Sequence, residues 1–282
     1  MTVTRFAPSP TGLLHLGHAY AAGVAKHCAR RESGEFLLRF EDIDHTRVRD
    51  DYYESGRQDL EWLGLGCDRE TPRQLDRSAR HAEALDALRE LGVIYPCFCT
   101  RREVEAELAG MAAAPQGPEG PLYPGTCRRL SEAERNERLE AEAQPAWRLD
   151  AVAAAARVGP LDFSDRVHGK IQVDPQLLGD VVLGRKDIGT SYHVAVVIDD
   201  ADDAITLVTR GEDLLPSTHV HRVLQALLDL PQPEYLHHIL VTDESGRRLA
   251  KRDDARSIRH YRESGLSPAE VLALLPPYPS QR

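Results

Sequence analysis

Two histidines lie just beyond a loop of prolines and glycines near the start of the chain. They are His15 and His18, in the stretch RFAPSPTGLLHLGHAY. VTRFA predicts a strand, and HAYAAGVAKHCARRESG predicts a helix with its stop signal at Gly34. A strand that leads through a loop into a helix directs free N–H groups and the positive helix end at one point, which favours phosphate. The imidazoles would donate to the same oxygens, and Gly12 and Gly17 would leave room for a base or ribose.

A second candidate for phosphate chemistry is a lysine in a basic loop late in the chain. Lys251 follows DESG, in the stretch RRLAKRD. A flexible ammonium group can move onto the charge that develops on phosphate during a displacement, so it stabilises the transition state more than the bound substrate. Taken alone, a solvated basic loop is the simpler interpretation.

Three of the five cysteines fall in one short segment: Cys97, Cys99 and Cys127. The N-terminus does not resemble a signal peptide, and no apolar run reaches the roughly 18 residues of a membrane helix, so we expect a cytoplasmic protein. In a reducing compartment the cluster favours a metal over disulfides, and three thiolates favour one structural Zn²⁺. No His lies between the cysteines, which leaves Glu119 or a water as candidates for the fourth ligand. Idle thiols are the alternative.

The rest of the chain predicts an α/β fold with one interruption. Its 282 residues can bury a large core, and its net charge is −10. Strand-like EFLLRFED, helical DYYESGRQDLEWLG and SARHAEALDALRELG, and YHVAVVIDDADDAITLVTRGEDLL, interpreted as two strands, predict a parallel sheet. A domain of residues 1–236 would be interrupted by an insertion over 95–184, and 237–282 would form a basic loop and short helices. An RNA partner must meet a local basic face, because the whole chain is acidic.

Several separated motifs resemble those of one enzyme family. HLGH resembles the HIGH signature of class I aminoacyl-tRNA synthetases, and RLAKR resembles their KMSKS loop. RFAPSPTGLLHLGHA, FEDIDHTR and TRGEDLL narrow the resemblance to glutamyl-tRNA synthetases. It implies a Rossmann-type catalytic domain that condenses glutamate with ATP, together with Mg²⁺, to give glutamyl-adenylate and pyrophosphate. His15 and His18 would steady the phosphates beside Gly12 and Gly17, and Lys251 would neutralise the departing pyrophosphate.

Glutamate itself sets requirements on the site. Its two carboxylates call for at least one guanidinium, and its ammonium calls for an anion. By resemblance, Arg5 and Arg210 bind the carboxylates, Glu41 meets the ammonium and Tyr192 lines the pocket. The resemblance also places in the glutamate site the loop residues Phe6, Ala7, Pro8 and Ser9.

The chain resembles most a group of truncated paralogues within that family. Glutamyl-tRNA synthetases continue after the KMSKS loop into an anticodon-reading region, whereas this sequence stops about thirty residues beyond Lys251, so we expect no anticodon-binding domain. The group implies transfer of glutamate to the queuosine of tRNA(Asp), and it implies Tyr123 as the fourth zinc ligand. Two departures from the KMSKS pattern, Arg248 and Ala250, predict slower chemistry at most. Nothing in the sequence demands more than a monomer.

Two other functions fit the same residues. One is a glutamate-adenylating ligase that charges a tRNA 3′ end or a non-RNA acceptor. The other is a non-catalytic, zinc-bearing RNA-binding paralogue. A binding module has no need for both phosphate loops together with an amino-acid pocket, which argues against the second.

Overall fold

The computed structural model describes residues 1–111, 113–141, 144–242 and 257–279. Arg248, Ala250 and Lys251 lie outside the described residues. The first part of the chain alternates strands and helices, as the sequence predicts. Its elements are β1 Val3–Phe6, α1 Leu16–Arg31, β2 Glu35–Leu38, α2 Asp50–Trp62, β3 Arg69–Glu70 and α3 Ser78–Glu90.

The middle and last parts complete the fold. The middle elements are β4 Ile94–Cys97, α4 Arg101–Gly110, β5 Gln116–Gly117, β6 Gly120–Pro121, α5 Glu132–Glu140, β7 Ala146–Leu149, α6 Ala151–Val158, β8 Asp162–Asp165, β9 Gly169–Gln172 and β10 Val182–Gly184. The last are α7 Tyr192–Asp202, β11 Leu207–Gly211, α8 Leu215–Leu227, β12 Glu234–His238, α9 Ile258–Glu263 and α10 Pro268–Leu272. None of the described helices is long and apolar enough to cross a lipid bilayer.

The main β-structure is a Rossmann-like parallel sheet, as predicted. β1, β2 and β3 pair in parallel, and so do β11, β12 and β8, with β9 antiparallel at the edge. The two groups meet where the Thr206 amide donates to the Val3 carbonyl at 3.0 Å. The carboxyl ends of β1, β2, β11 and β12 therefore lie at one edge of the sheet, which is where such folds bind ligands.

A smaller antiparallel sheet carries the cysteine segment. β4 pairs with β7, and β7 pairs with β10. Cys97 is the last residue of β4, and Cys127 begins a short 3₁₀ turn, Cys127–Arg129. The boundaries proposed for the insertion, residues 95 and 184, stay a prediction. One strand between these boundaries, β8, belongs to the main sheet, where it pairs with β12.

The apolar run VAVVI forms a helix, so its prediction as a strand was wrong. It lies in α7, where Val194, Val196, Val197 and Ile198 are all buried. A short apolar run without periodicity is compatible with a strand or with a helix buried on every side, and here the packing between α3 and α8 decides.

The end of α1 also differs in detail from the prediction. The helix ends at Arg31, and Ser33, with φ of 50°, reverses the chain. Gly34 is needed for a different reason: a Cβ atom there would lie 1.9 Å from the carbonyl oxygen of Thr2. The glycine thus allows β2 to begin beside β1. The two short helices predicted near the C-terminus are α9 and α10, and the basic loop predicted before them falls on residues 243–256, outside the described residues.

Candidate active site

A cavity of about 680 Å³ opens at the carboxyl ends of the parallel strands. Every predicted nucleotide or glutamate residue that the structure describes lines it, with the exception of Gly12, which lies in the same loop. Its lining residues are Arg5, Phe6, Ala7, Pro8, Ser9, His15, Gly17, His18, Tyr20, Ala21, Glu41, Tyr192, Thr209, Arg210, Gly211, Asp213, Leu214, His238, Leu240 and Val241.

His15 and His18 lie together at the start of α1. His15 is the N-cap: its Nδ1 accepts the Gly17 amide at 3.1 Å, and the His18 Nδ1 accepts the His15 amide at 3.2 Å. The ring centroids are 3.8 Å apart. Because each Nδ1 accepts a backbone N–H, the proton of each neutral ring is on Nε2, which is a donor suited to phosphate oxygens.

The glycine between these histidines is required by their packing. A Cβ atom on Gly17 would lie 3.0 Å from the His15 Cε1 atom and 3.1 Å from its Nδ1. A side chain there would push the His15 ring off the helix N-terminus. The HLGH motif thus fixes two imidazoles and a helix N-terminus in one place.

The segment that contains Lys251 is flanked by residues that reach this site. Val241, on one side, lines the cavity. On the other side, Ser257 forms an antiparallel bridge with His15, and the Ile258 amide donates to the Leu14 carbonyl at 2.8 Å. The described residues on either side of that segment therefore lie at the wall of the cavity or beside it.

Arg5 belongs to a buried network of ion pairs under the cavity. Its Nε and Nη2 donate to the two carboxylate oxygens of Asp200 at 2.9 and 3.2 Å. Arg39 donates to Asp200 at 2.6 Å and to Asp203 at 2.9 Å. Although burial opposes the charge of Asp200, these two arginines hold its pKa below the ordinary value. The cations and carboxylates of this network neutralise one another.

Glu41 is one of two carboxylates among the described residues that line the cavity; the other is Asp213. Glu41 follows β2, and its nearest cation is Arg39, 3.9 Å away. Burial raises the pKa of Glu41 to about 7, against the opposing charges of Arg39 and Arg5. A substrate ammonium beside it would favour its ionised form.

Arg210 differs from Arg5, because its hydrogen-bond partners among the described residues are all neutral. Its Nε donates to His237 Nε2 at 3.1 Å, and its Nη2 donates to the Thr218 hydroxyl at 2.6 Å. Its Nη1 donates to the Tyr192 hydroxyl at 3.2 Å and to His221 Nδ1 at 3.1 Å. Within the described ranges, no carboxylate forms an ion pair with it. A buried guanidinium on the wall of a cavity, with neutral partners, has the charge and the donors to bind an anion.

The cysteine cluster is formed as the sequence predicts. The sulfur atoms of Cys97, Cys99 and Cys127 all lie within 4.8 Å of one another. The Tyr123 hydroxyl is 3.4 Å from the Cys97 sulfur and 3.5 Å from the Cys99 sulfur. Glu119 is exposed and is not part of this group. The three thiols could hold a metal ion, and soft thiolates in this number suit Zn²⁺.

Comparison with known proteins agrees with this geometry. The family model described as tRNA synthetases class I (E and Q), catalytic domain, matches residues 1–276. The chain belongs to this family. The synthetase is 45% identical over 278 residues to the Glutamyl-Q tRNA(Asp) synthetase of Rhodobacter capsulatus, covering 97% of this chain and 99% of the relative. It is 44% identical over 271 residues to the protein of the same name from Nocardia farcinica, covering 96% and 82%.

A solved structure gives the same result for the fold. The glutamate tRNA ligase of Elizabethkingia meningosepticum, solved in complex with its amino acid, matches with a TM-score of 0.74 and 29% identity. The match covers 94% of this synthetase and 53% of that chain. The predicted ligase of the aminoacyl-tRNA synthetase class is confirmed.

The sequence analysis did not identify the residues that position the side chains of Arg5 and Arg210. Asp165 accepts from His237 Nδ1 at 2.6 Å, so that His237 Nε2 faces Arg210 as an acceptor. Burial lowers the pKa of His237 to about 4, so the ring is neutral at pH 7. One signal was available for Asp200: an apolar helix that carries buried acidic residues needs cations beside it. His237 gave no such signal in the sequence.

Proposed function

We propose that this synthetase activates L-glutamate with ATP and transfers the glutamyl group to the queuosine of tRNA(Asp). The observation that supports glutamate binding is Arg210, a buried cation on the cavity wall whose hydrogen-bond partners among the described residues are all neutral. An anion placed there recovers much of the cost of burying the charge. A carboxylate fits the planar guanidinium through two parallel hydrogen bonds.

The rest of the glutamate site supplies complementary charge. Glu41 would accept the substrate ammonium across the cavity, where Arg39 and Arg5 limit its own protonation. Arg5 is already in a two-point contact with Asp200. We therefore assign Arg210 as the main carboxylate receptor, with Arg5 contributing positive charge to the second carboxylate from its place in the network.

Activation needs no nucleophile from the protein. An oxygen of the substrate carboxylate attacks the α-phosphorus of ATP, a C–O–P linkage forms, and pyrophosphate leaves with the electrons of the broken P–O bond. The Nε2–H groups of His15 and His18 and the N-terminus of α1 would stabilise charge on the phosphate oxygens. Mg²⁺ bound with ATP would neutralise phosphate charge. Lys251 would do the same for the departing pyrophosphate.

The acceptor is supported by the relatives. Those from Rhodobacter capsulatus and Nocardia farcinica bear the name Glutamyl-Q tRNA(Asp) synthetase and match this chain over 97% and 96% of its length. An anticodon loop is a suitable target, because single-stranded loops offer unstacked bases to a protein site. The acceptor hydroxyl would displace AMP from the glutamyl-adenylate.

The test separates the two half-reactions. Purified protein is first assayed for glutamate-dependent ATP–pyrophosphate exchange. It is then incubated with labelled glutamate and tRNA from cells that do or do not make queuosine, and the tRNA is fragmented by nuclease at acidic pH. We expect exchange, and label confined to the anticodon fragment of queuosine-containing tRNA(Asp). Label at the 3′ end, or equal label in queuosine-free tRNA, would identify a charging enzyme instead.

The cysteine cluster is proposed to hold one structural Zn²⁺ through Cys97, Cys99, Cys127 and Tyr123. The ion would cross-link the end of β4 to the turn at Cys127. We expect one equivalent of zinc per chain by mass spectrometry under native conditions, and loss of it in Cys127→Ser. Cys28→Ser, at a buried cysteine of α1 outside the cluster, is the matched control. Equal zinc content in the two variants would contradict the assignment.

A further inference from the structure

One buried carboxylate lies outside the active-site cavity, near the end of α2. The side chain of Asp59 is fully buried, and neither of its oxygens accepts a hydrogen bond from a described residue. Within the described part of the chain its ion-pair partner is Arg262 of α9, whose Nη1 lies 3.2 Å from Oδ1. Burial raises the pKa of Asp59 to about 6, against the charges of Arg262 and Arg259. The polar contact between α2 and α9 is therefore made by charge, and that charge is costly to bury.

A buried ion pair of this kind is weak evidence for stability. Replacing such a pair by apolar residues of similar volume is often neutral or stabilising, so stability alone does not explain Asp59. The two helices also share an apolar core, in which Leu60 of α2 and Ile258 of α9 are buried. Apolar contacts hold two helices together without fixing how far one slides or turns on the other. A directed ion pair at Arg262, one turn beyond Ile258, supplies that restriction.

The first residues of α9 lie against the residues that precede α1. The N-cap of α9, Ser257, is 4% exposed and forms an antiparallel bridge with His15. The Ile258 amide donates to the Leu14 carbonyl at 2.8 Å. α9 has only six residues, and a helix so short takes its orientation from its tertiary contacts. The position of the main chain at His15, which caps α1, therefore depends on where α9 is held.

We propose that Asp59 is a positioning residue for the phosphate-binding end of the active site. Through Arg262 it fixes α9, and α9 fixes the main chain at Leu14 and His15, where α1 begins. This inference rests on the proposed function, in which His15 and His18 stabilise charge on the phosphate oxygens, and it deepens that function.

The glutamate end of the cavity is carried by the main sheet instead. Arg5 lies in β1 and Arg210 lies in β11. A shift of α9 should therefore disturb the chemistry on ATP and leave the binding of glutamate unchanged. A general loss of structure would weaken both.

The experiment measures the two ends of the cavity separately. Glutamate-dependent ATP–pyrophosphate exchange gives kcat, and calorimetry without ATP gives the Kd for glutamate. Asp59→Asn keeps the shape of the side chain and removes its charge, and Arg262→Met removes the partner. We expect each to lower kcat for exchange about tenfold, because a misplaced group slows the chemical step, with the glutamate Kd unchanged. Arg262→Lys, which keeps the positive charge, should restore most of the rate lost in Arg262→Met.

Two further variants complete the test. The double variant, Asp59→Asn with Arg262→Met, should lose no more than either single one, because both changes remove the same contact. Asp51→Asn is the matched control, because Asp51 is an exposed acidic residue in the first turn of the same helix. It should match the wild type. Urea unfolding checks that each variant is folded in the assay; Asp59→Asn should be, because burial already disfavours the charge that it removes.

The outcomes separate this inference from the proposed function. If Asp59→Asn retains the wild-type kcat, the inference alone is wrong. If kcat and the affinity for glutamate fall by the same factor, Asp59 is merely structural and the inference is also wrong. A double variant that shows the product of the two single losses would mean that Asp59 and Arg262 act independently, which overturns it too. If the wild type shows no glutamate-dependent exchange, the proposed function itself fails, and the role of Asp59 fails with it.

Discussion

Two buried arginines at the same edge of the sheet have opposite surroundings. Arg39, which follows β2, is fully buried and donates to Asp200 and Asp203. Arg210, in β11, is 6% exposed, and its partners are a hydroxyl pair and two neutral imidazoles. The first cation is neutralised within the fold. The second is held in position by acceptors that carry no charge, so its charge stays available to a ligand.

Under the proposed function, the difference separates a structural arginine, Arg39, from a substrate-binding one, Arg210. The charge of a buried cation among carboxylates is balanced without substrate. Loss of that cation leaves unpaired carboxylate charges inside the protein. A buried cation among neutral acceptors is stabilised by orientation more than by charge, and its loss leaves only weaker hydrogen bonds unmade. Substitution at the two positions should therefore affect different measurements.

The largest effect is expected for Arg39→Met. It leaves Asp200 and Asp203 with reduced compensation in the interior, which should lower the free energy of unfolding by about 3–5 kcal/mol. Urea unfolding at pH 7.5 measures it. Arg57→Met is the matched control, because Arg57 pairs with Glu70 at the surface and should cost at most about 1 kcal/mol. Equal losses in the two variants would contradict the structural role of Arg39.

Arg210→Met should produce the reverse pattern. Without the receptor, kcat/KM for glutamate in ATP–pyrophosphate exchange should fall about 10²–10³-fold, because substrate carboxylate loses a buried ionic partner. The free energy of unfolding should fall by only about 1–3 kcal/mol, because the groups left without a donor are neutral acceptors and not charges. Arg210→Lys keeps the positive charge but loses the planar pair of donors, so its kcat/KM should lie between that of the wild type and that of Arg210→Met. Exchange at the wild-type rate in Arg210→Met would remove the basis for the assigned receptor.

The contrast between these arginines could not be predicted from the sequence. Local signals predicted β1, α1 and the site at their junction, because a strand, a Pro/Gly loop and a helix adjoin one another in the chain. Arg5, in β1, and Asp200, in α7, are 195 residues apart, and only the folding of the chain brings them into contact. Likewise, VAVVI carries no period that distinguishes helix from strand, and its three-dimensional packing decides.

The cysteine cluster, in contrast to the arginines, could be predicted from the sequence. Its residue types carry the chemistry themselves, so three thiols in one segment predicted a site without knowledge of the fold. The charge state of Glu41 or the tautomer of His237 depends on neighbours that arrive from distant strands. Such properties are visible only once the burial and the partners are known.

A smaller effect is expected when the orientation of Arg210 is disturbed. His237→Leu leaves the Nε of Arg210 without its acceptor, which should cost about 1–3 kcal/mol, or roughly five- to a hundredfold in KM for glutamate. Because the charge remains, KM should change more than kcat. His237→Gln, whose amide can accept from Arg210 and donate to Asp165, should recover much of the loss. A change in kcat alone would show that His237 does not act by positioning the receptor.

The smallest effect is expected from the protonation of Glu41, the acidic residue proposed to bind the substrate ammonium. The pKa of Glu41 is raised to about 7 by burial, so the carboxyl becomes protonated as the pH falls below 7 and loses its attraction for the substrate ammonium. Between pH 8 and pH 6 the affinity for glutamate should fall about tenfold. Calorimetry without ATP measures this on glutamate binding alone. Glu41→Gln should bind weakly with little dependence on pH; if it keeps the wild-type slope, the titrating group lies elsewhere and Glu41 does not bind the ammonium.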